Sequence, residues 1–243
     1  MMPPRTTATT TDTSCPHRRP GQPHREGSFL RLVRRVAWYN LRYVARLIVA
    51  ALGGLRAVGT ERVPLRGGLI VAANHLSLAD PPLLQLALPR FLHFLMTDRF
   101  YYLPLLHGFS RFWGVLVVKE GGMNKESLRA ATDLLEQGEA IGVFPEGGLR
   151  REGRPRPVQQ GMALLAQRAR VPILPVAIAG TERLLPPDTW RIHRSRVVLY
   201  VGELIPPDDL SRDELARRVA AALRGCEQKA RSLWPRRSDP DCG

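Results

Sequence analysis

Cysteine, lysine and aromatic side chains are scarce in this chain, and each shortage narrows what it can do. The three cysteines, Cys15, Cys226 and Cys242, are odd in number and widely spread. They offer neither a disulfide framework nor a metal-binding pair, so a reducing compartment is the natural setting, with no metal and no bound cofactor expected. Aromatic residues make up only 7%, and none interleave with basic residues in the way that stacks on bases; nucleic acid is not an expected partner. No window of about 20 apolar residues occurs, which argues against a membrane-spanning helix. The first residues also lack an apolar run behind their basic positions, so they do not read as a signal peptide.

Positive charge is what the chain has in excess. Its 243 residues carry 36 Lys and Arg against 22 Asp and Glu, a formal charge of +14. All but Lys119, Lys125 and Lys229 of the basic residues are arginine. Part of the Arg, Ala and Pro bias is what a high-GC genome would be expected to produce. The remainder suits an anionic surface, whether membrane, nucleic acid or phosphorylated substrate, and charge by itself does not choose among them. Hydrophobic residues, at 44%, suffice for one α/β domain with a full core.

The chain divides into four stretches. Residues 1–27, rich in Thr, Pro, Arg and His, cannot bury enough to offset ordering and are expected to be a disordered tail. Residues 28–58 are expected to form an amphipathic, membrane-associating helix. At about 100° per residue, Arg31, Arg34, Arg35, Arg42, Arg46 and Arg56 fall within roughly 60° of one line. Apolar residues from Phe29 to Leu55 lie largely opposite, and Trp38 spoils the separation. A purely cationic polar face suits a helix lying among anionic headgroups. The alternative is a helix packed on its own core with a solvated Arg face. Residues 59–234 read as the main domain, and 235–243 as a flexible tail.

Within that domain, strands are expected at 69–73, 91–97, 114–118, 140–144, 173–179 and 197–201. Helices are expected at 81–88, 98–107, 125–137, 160–169 and 211–233. Such alternation predicts an α/β fold, a mainly parallel sheet flanked by helices.

Two polar constellations follow apolar strands. The first is Asn74-His75-Leu76-Ser77-Leu78-Ala79-Asp80, which places His75 at a strand end and Asp80 before Pro81-Pro82. Open α/β sheets gather their chemistry at that end of the strands. On a regular helix the two would diverge by about 140°, so they meet only across a turn. Asp80 also suits an N-cap and Pro81 a first helical position, which would make both residues purely structural. A His held by a carboxylate is otherwise a general base suited to a hydroxyl. The second constellation runs Phe144-Pro145-Glu146-Gly147-Gly148-Leu149-Arg150-Arg151. A glycine-rich turn followed by paired cations can receive an anion.

Taken together, these segments resemble the glycerolipid acyltransferase family, the group containing 1-acyl-glycerol-3-phosphate acyltransferases. Four family blocks occur in order: the His-x4-Asp segment from Asn74 to Asp80, Gly114 to Lys119, Phe144 to Gly147, and Val171 to Val176. The resemblance implies acyl transfer from acyl-CoA or acyl carrier protein to a lysophospholipid hydroxyl, on the cytoplasmic face of the plasma membrane, with anionic lipids as partners. It implies His75 as base and Asp80 as its orienter, with Asn74, Ser77, Lys119, Glu146, Gly147, Arg150 and Arg151 around the substrate. No Gly-x-Ser-x-Gly elbow supplies a covalent nucleophile, so direct attack on a thioester is expected. The oxyanion donor is expected to be a backbone N–H.

Two departures bear on the acceptor. Leu149 stands where the family's third block usually carries Arg, and Lys119 stands where the second usually ends in Arg, losing a bidentate fork. They keep open another acceptor, such as a lyso-ornithine lipid or a glycolipid. Pro172 and Pro175 are expected to flank a buried strand. The stretch 103–113 could either pack in the core or line an acyl groove.

Overall fold

Runs of aliphatic residues with every side chain buried make the middle of a sheet covered on both faces. The computed structural model describes residues 42–97, 115–118, 123–150, 158–187, 189, 191–207 and 210–234. Among these, the strands are β1 (Leu55–Val58), β2 (Leu69–Ala73), β3 (Leu92–Thr97), β4 (Leu116–Val118), β5 (Ala140–Val143), β6 (Ile173–Ala179) and β7 (Val197–Val201). Their order across the sheet is β1-β7-β6-β2-β5-β3-β4. Every pairing is parallel except that of β6 with β7. Helices are α1 (42–51), α2 (Asp80–Ala87), α3 (Lys125–Glu136), α4 (Gln160–Ala169), α5 (Thr181–Leu184) and α6 (Arg212–Leu233).

The two-residue period of β2 sets the layers. Ile70 and Ala72 point to one face, where they meet Leu128, Ala131 and Leu135 of α3, Met162 and Leu165 of α4, and Leu215, Val219 and Leu223 of α6. Leu69, Val71 and Ala73 point to the other, against Leu84 of α2 and the neighbouring Leu88. The Leu, Ile, Val and Met side chains buried here contribute about 1.5–3 kcal/mol each, and covering both faces is what a parallel sheet requires.

β2 lies between β6 and β5. The chain leaves β2 towards β3 on one side, but leaves β5 back past β2 to β6 on the other. The loops after β2 and β5 therefore stand side by side where the winding changes direction, the usual site location in such folds.

Several expectations are corrected. Asp80 is not an N-cap: α2 begins at Asp80 itself, and Ala79 precedes it with no side-chain cap. The N-terminal helix ends by residue 51, because Gly53 and Gly54 take positive φ and turn the chain into β1. A Cβ on Gly53 would lie 2.6 Å from the Ser195 carbonyl. Arg56 thus belongs to a strand, and Arg42 turns inward to donate to the carbonyls of Leu86 (2.8 Å) and Leu88 (3.0 Å) at the end of α2. Pro175 lies within β6 rather than at its edge. Short β1 and α5 were not expected. Residues 1–41, the expected helix 98–107, the stretch 103–113, Gly114, Lys119, Arg151 and the tail 235–243 lie outside the described residues.

Candidate active site

His75 leaves the end of β2 and is caught by a hook built from the next five residues. Its Nδ1 lies 2.9 Å from Asp80 Oδ2. The same oxygen accepts the backbone N–H groups of Leu76 (2.6 Å) and Ser77 (2.8 Å). A carboxylate only accepts, so Nδ1 carries a proton and, in the neutral ring, Nε2 carries the lone pair. Asp80 is fully buried and its Oδ1 has no hydrogen-bond partner among the described residues, while the His75 side chain keeps 14% exposure. The imidazole is thus held on one nitrogen and open on the other.

Two neighbours fix the hook to the sheet. Asn74 is buried, and its amide donates to Ile178 O (2.9 Å) and accepts from Ile178 N–H (2.8 Å). A side-chain amide has the same donor and acceptor as a peptide. It therefore continues the β2–β6 ladder past the point where the backbone departs. Ser77 Oγ donates to Leu185 O (2.6 Å), just beyond α5, and accepts from Ala79 N–H (3.1 Å). Both residues were expected at the substrate. Both are instead committed to the protein's own backbone, because a buried polar side chain must find partners there.

The 144–150 loop follows β5 and closes over the same histidine. The Phe144 ring stacks on the His75 ring at 4.0 Å, with 17° between planes. Gly147 sits at φ 71°, and its N–H donates to Phe144 O (3.0 Å) to form a turn. At the far end, Arg150 N–H donates to His75 O (2.8 Å).

Arg150 was expected to meet an anionic headgroup. It is buried, and its guanidinium donates from Nε to Glu146 (2.5 Å), from Nη1 to Glu227 (2.8 Å), and from Nη2 to both carboxylates. Burial alone would push this guanidinium down, but the hydrogen bonds to Glu227 and then Glu146 hold it above the ordinary arginine value. Glu146, expected beside the acceptor, is drawn into the same cluster. Four donated bonds to two carboxylates leave little of Arg150 for a phosphate.

Sequence reasoning missed Glu227, the Phe144 ring contact and the two backbone acceptors. Only the phenylalanine carried a signal, as part of a recognised block. Glu227 lies 77 positions from Arg150, a separation that no local pattern covers.

A base with one oriented nitrogen, covered by a ring and beside a loop at a parallel sheet's switch point, can take a proton from a bound hydroxyl. The acyltransferase family model matches residues 54–179, just over half of the chain, and spans both loops. The chain belongs to the acyltransferase family. Among its relatives is a 1-acyl-sn-glycerol-3-phosphate acyltransferase from Bacillus subtilis, 22% identical over 191 residues, covering 77% of this chain and 92% of the relative. A protein of the same description from Saccharomyces cerevisiae is 24% identical over 73% of this chain and 60% of its own length. The crystal structure of the 1-acyl-sn-glycerophosphate (LPA) acyltransferase PlsC from Thermotoga maritima matches with a TM-score of 0.72 and 25% identity. That match covers 85% of this chain and 84% of the other. The acyltransferase fold is therefore shared over most of the chain.

Proposed function

We propose that this acyltransferase moves a fatty acyl group from acyl-CoA or acyl carrier protein to the hydroxyl of 1-acyl-glycerol-3-phosphate, as a step of phospholipid biosynthesis. The observation that carries the proposal is the hook: Asp80 fixes Nδ1–H, so Nε2 faces the acceptor as a base. The acceptor oxygen attacks the thioester carbonyl carbon while its proton passes to Nε2. Asp80 stabilises the imidazolium that forms, the division of labour seen in a serine triad. The C–S bond then breaks, and the leaving thiolate receives the proton. The names carried by the relatives support a lysophosphatidate acceptor.

A surface beside the hook supports attachment to anionic lipid. Tyr43, Val44, Leu47 and Ile48 of α1 are 53–73% exposed, and Ile192 is 62% exposed. Ile192 joins Ala45 and Val49 of α1 and the following Leu52 around a groove lined by apolar residues, which Ala79 and Leu185 also border. Arg46, Arg191 and Arg194 are exposed near these positions in the chain. Apolar residues accompanied by arginine suit the boundary between acyl chains and anionic headgroups. No helix among the described residues is long and apolar enough to cross a membrane. Seating this surface on the cytoplasmic face of the membrane would bring the Asp80 hook close to a lipid acceptor.

A second acceptor class is favoured by one observation, the commitment of Arg150 to Glu146 and Glu227. With Leu149 adjacent, the described part of this loop offers no guanidinium turned to a phosphate, which suits lyso-ornithine lipid or a glycolipid. Purified protein incubated with a mixed lysolipid panel and either acyl-CoA or acylated acyl carrier protein, read by lipid mass spectrometry, decides between them. Preferential acylation of lysophosphatidate is expected. Preference for a phosphate-free acceptor would overturn the first assignment, and no acylation of any acceptor with either donor would overturn both.

A further inference from the structure

We propose that Glu227, on the C-terminal helix and outside the 54–179 segment matched by the family model, is a positioning residue for acyl transfer: through Arg150 it holds the 144–150 loop against His75. The inference rests on the assignment of His75 as the base.

Both ends of the loop touch the histidine. Phe144 stacks on its ring at the start, and Arg150 N–H donates to its carbonyl at the end. The start continues directly from β5, and Gln159 N–H donates to Pro145 O (2.8 Å). Among the described residues, no strand adjoins the end. Within the loop, Glu146 pairs with Arg150, but both belong to the same short turn and could move together.

The tie from outside is Glu227. Its Oε2 accepts from Arg150 Nη1 at 2.8 Å and its Oε1 from Nη2 at 2.5 Å, a two-point contact that fixes orientation as well as distance. The Arg150 and Glu146 side chains are 3% exposed and that of Glu227 12%, so solvent screens the contact little.

The helix bearing Glu227 is well anchored. α6 starts with a Ser211 cap that accepts from Glu214 N–H (3.2 Å). It buries Leu215, Val219, Leu223 and Cys226. Glu227 stands one turn after Leu223, and Cys226 packs with Ala177 and Ala179 of β6. β6 is the strand whose Ile178 holds Asn74. The same strand thus supports the hook directly and the loop through α6.

A structural residue and a positioning residue differ in what their loss moves. Glu227→Gln keeps the side-chain shape but removes the charge and one acceptor. It is expected to lower kcat roughly tenfold to a hundredfold, as a small misplacement near reacting atoms does. KM for acyl-CoA is expected to stay within about threefold, since no donor-binding group is removed. Leu223→Ala, on the same helix face, should lower Tm at least as much while keeping kcat when assayed well below its Tm.

The second readout needs no acceptor. The His75 Nδ1–H proton, observed by NMR, should shift or broaden in Glu227→Gln and stay in place in Leu223→Ala. If the wild-type protein acylates none of the tested acceptors, the functional assignment fails and the NMR comparison still decides the role of Glu227. Wild-type kcat in Glu227→Gln, a kcat that falls in step with Tm in both variants, or an unmoved Nδ1–H resonance would each overturn the proposal.

Discussion

The loops after β2 and β5 stand next to each other and serve the same histidine, yet they are held by opposite means. The hook is self-contained at its chemistry: Asp80 collects His75, Leu76 and Ser77 within five residues. The 144–150 loop closes on His75 but owes its ion cluster to Glu227, 77 positions from Arg150. A local hook sets the base's tautomer wherever the turn forms. A remotely tied loop is correct only when the whole domain is assembled. The site thus separates the orientation of the base from the shaping of its surroundings.

The largest effect should follow removal of the base. His75→Ala is expected to lose at least roughly 10³-fold in acyl transfer, the upper range for general base catalysis, with Tm little changed because its side chain is partly exposed. An active His75→Ala would sink the mechanism. Asp80→Asn tests the hook more finely. One oxygen takes all three hydrogen bonds and the other takes none, so an asparagine can set its oxygen at the first site and its NH2 at the second. Geometry should survive while the charge that stabilises the imidazolium is lost. A fall in kcat of roughly 10²-fold or more with a small change in Tm is expected. A large Tm loss instead would show that the charge, not the geometry, holds the hook.

Asn74→Ala carries the comparison to the sheet. It strips Ile178 of both side-chain partners in a buried setting, at a cost of about 2–4 kcal/mol if neither group is rehydrated. Urea unfolding should register this, and activity should fall with it because the hook loses its footing on β6. If stability falls but kcat holds, the hook positions His75 without the sheet's help.

This division also explains what could be read from the residues in order. Strands β2, β6 and β7 were legible to the residue, since each is a bounded aliphatic run. The His75–Asp80 pairing was legible because its partners lie within one turn. Short β1 was not, because Leu55–Val58 alternates only partly and follows a helical pattern that Gly53-Gly54 interrupts. Arg42 was placed on the cationic face of a membrane-associating helix, yet it donates to carbonyls at the end of α2; helical periodicity gives a direction but not what stands there. Asn74, Ser77 and Arg150 were given to the substrate because polar residues beside a base look available. Ile178, Leu185 and Glu227 satisfy them from more than 70 positions away.

The smallest effect expected separates the two loops by pH. Cys226, next to Glu227 on α6, is buried, and burial pushes its thiol up from 9.0 to about 11. Between those values the unfolded thiol releases its proton while the folded one keeps it. The unfolded state is therefore favoured as pH rises, with the stability intact below about pH 9 and lost by about pH 11. At pH 10 the difference is about 1 kcal/mol. Cys226→Ala should remove that component, seen as a shallower alkaline fall in the urea midpoint. Ionisation above pH 11 also sets a second negative charge beside Glu227, at the anchor of the remote loop and not at the hook. Wild-type activity should therefore decline at alkaline pH before that of Cys226→Ala, and the His75 Nδ1–H signal should shift in the wild type while being lost in neither. Identical alkaline profiles for the two proteins would mean that the thiol is not coupled to the anchor.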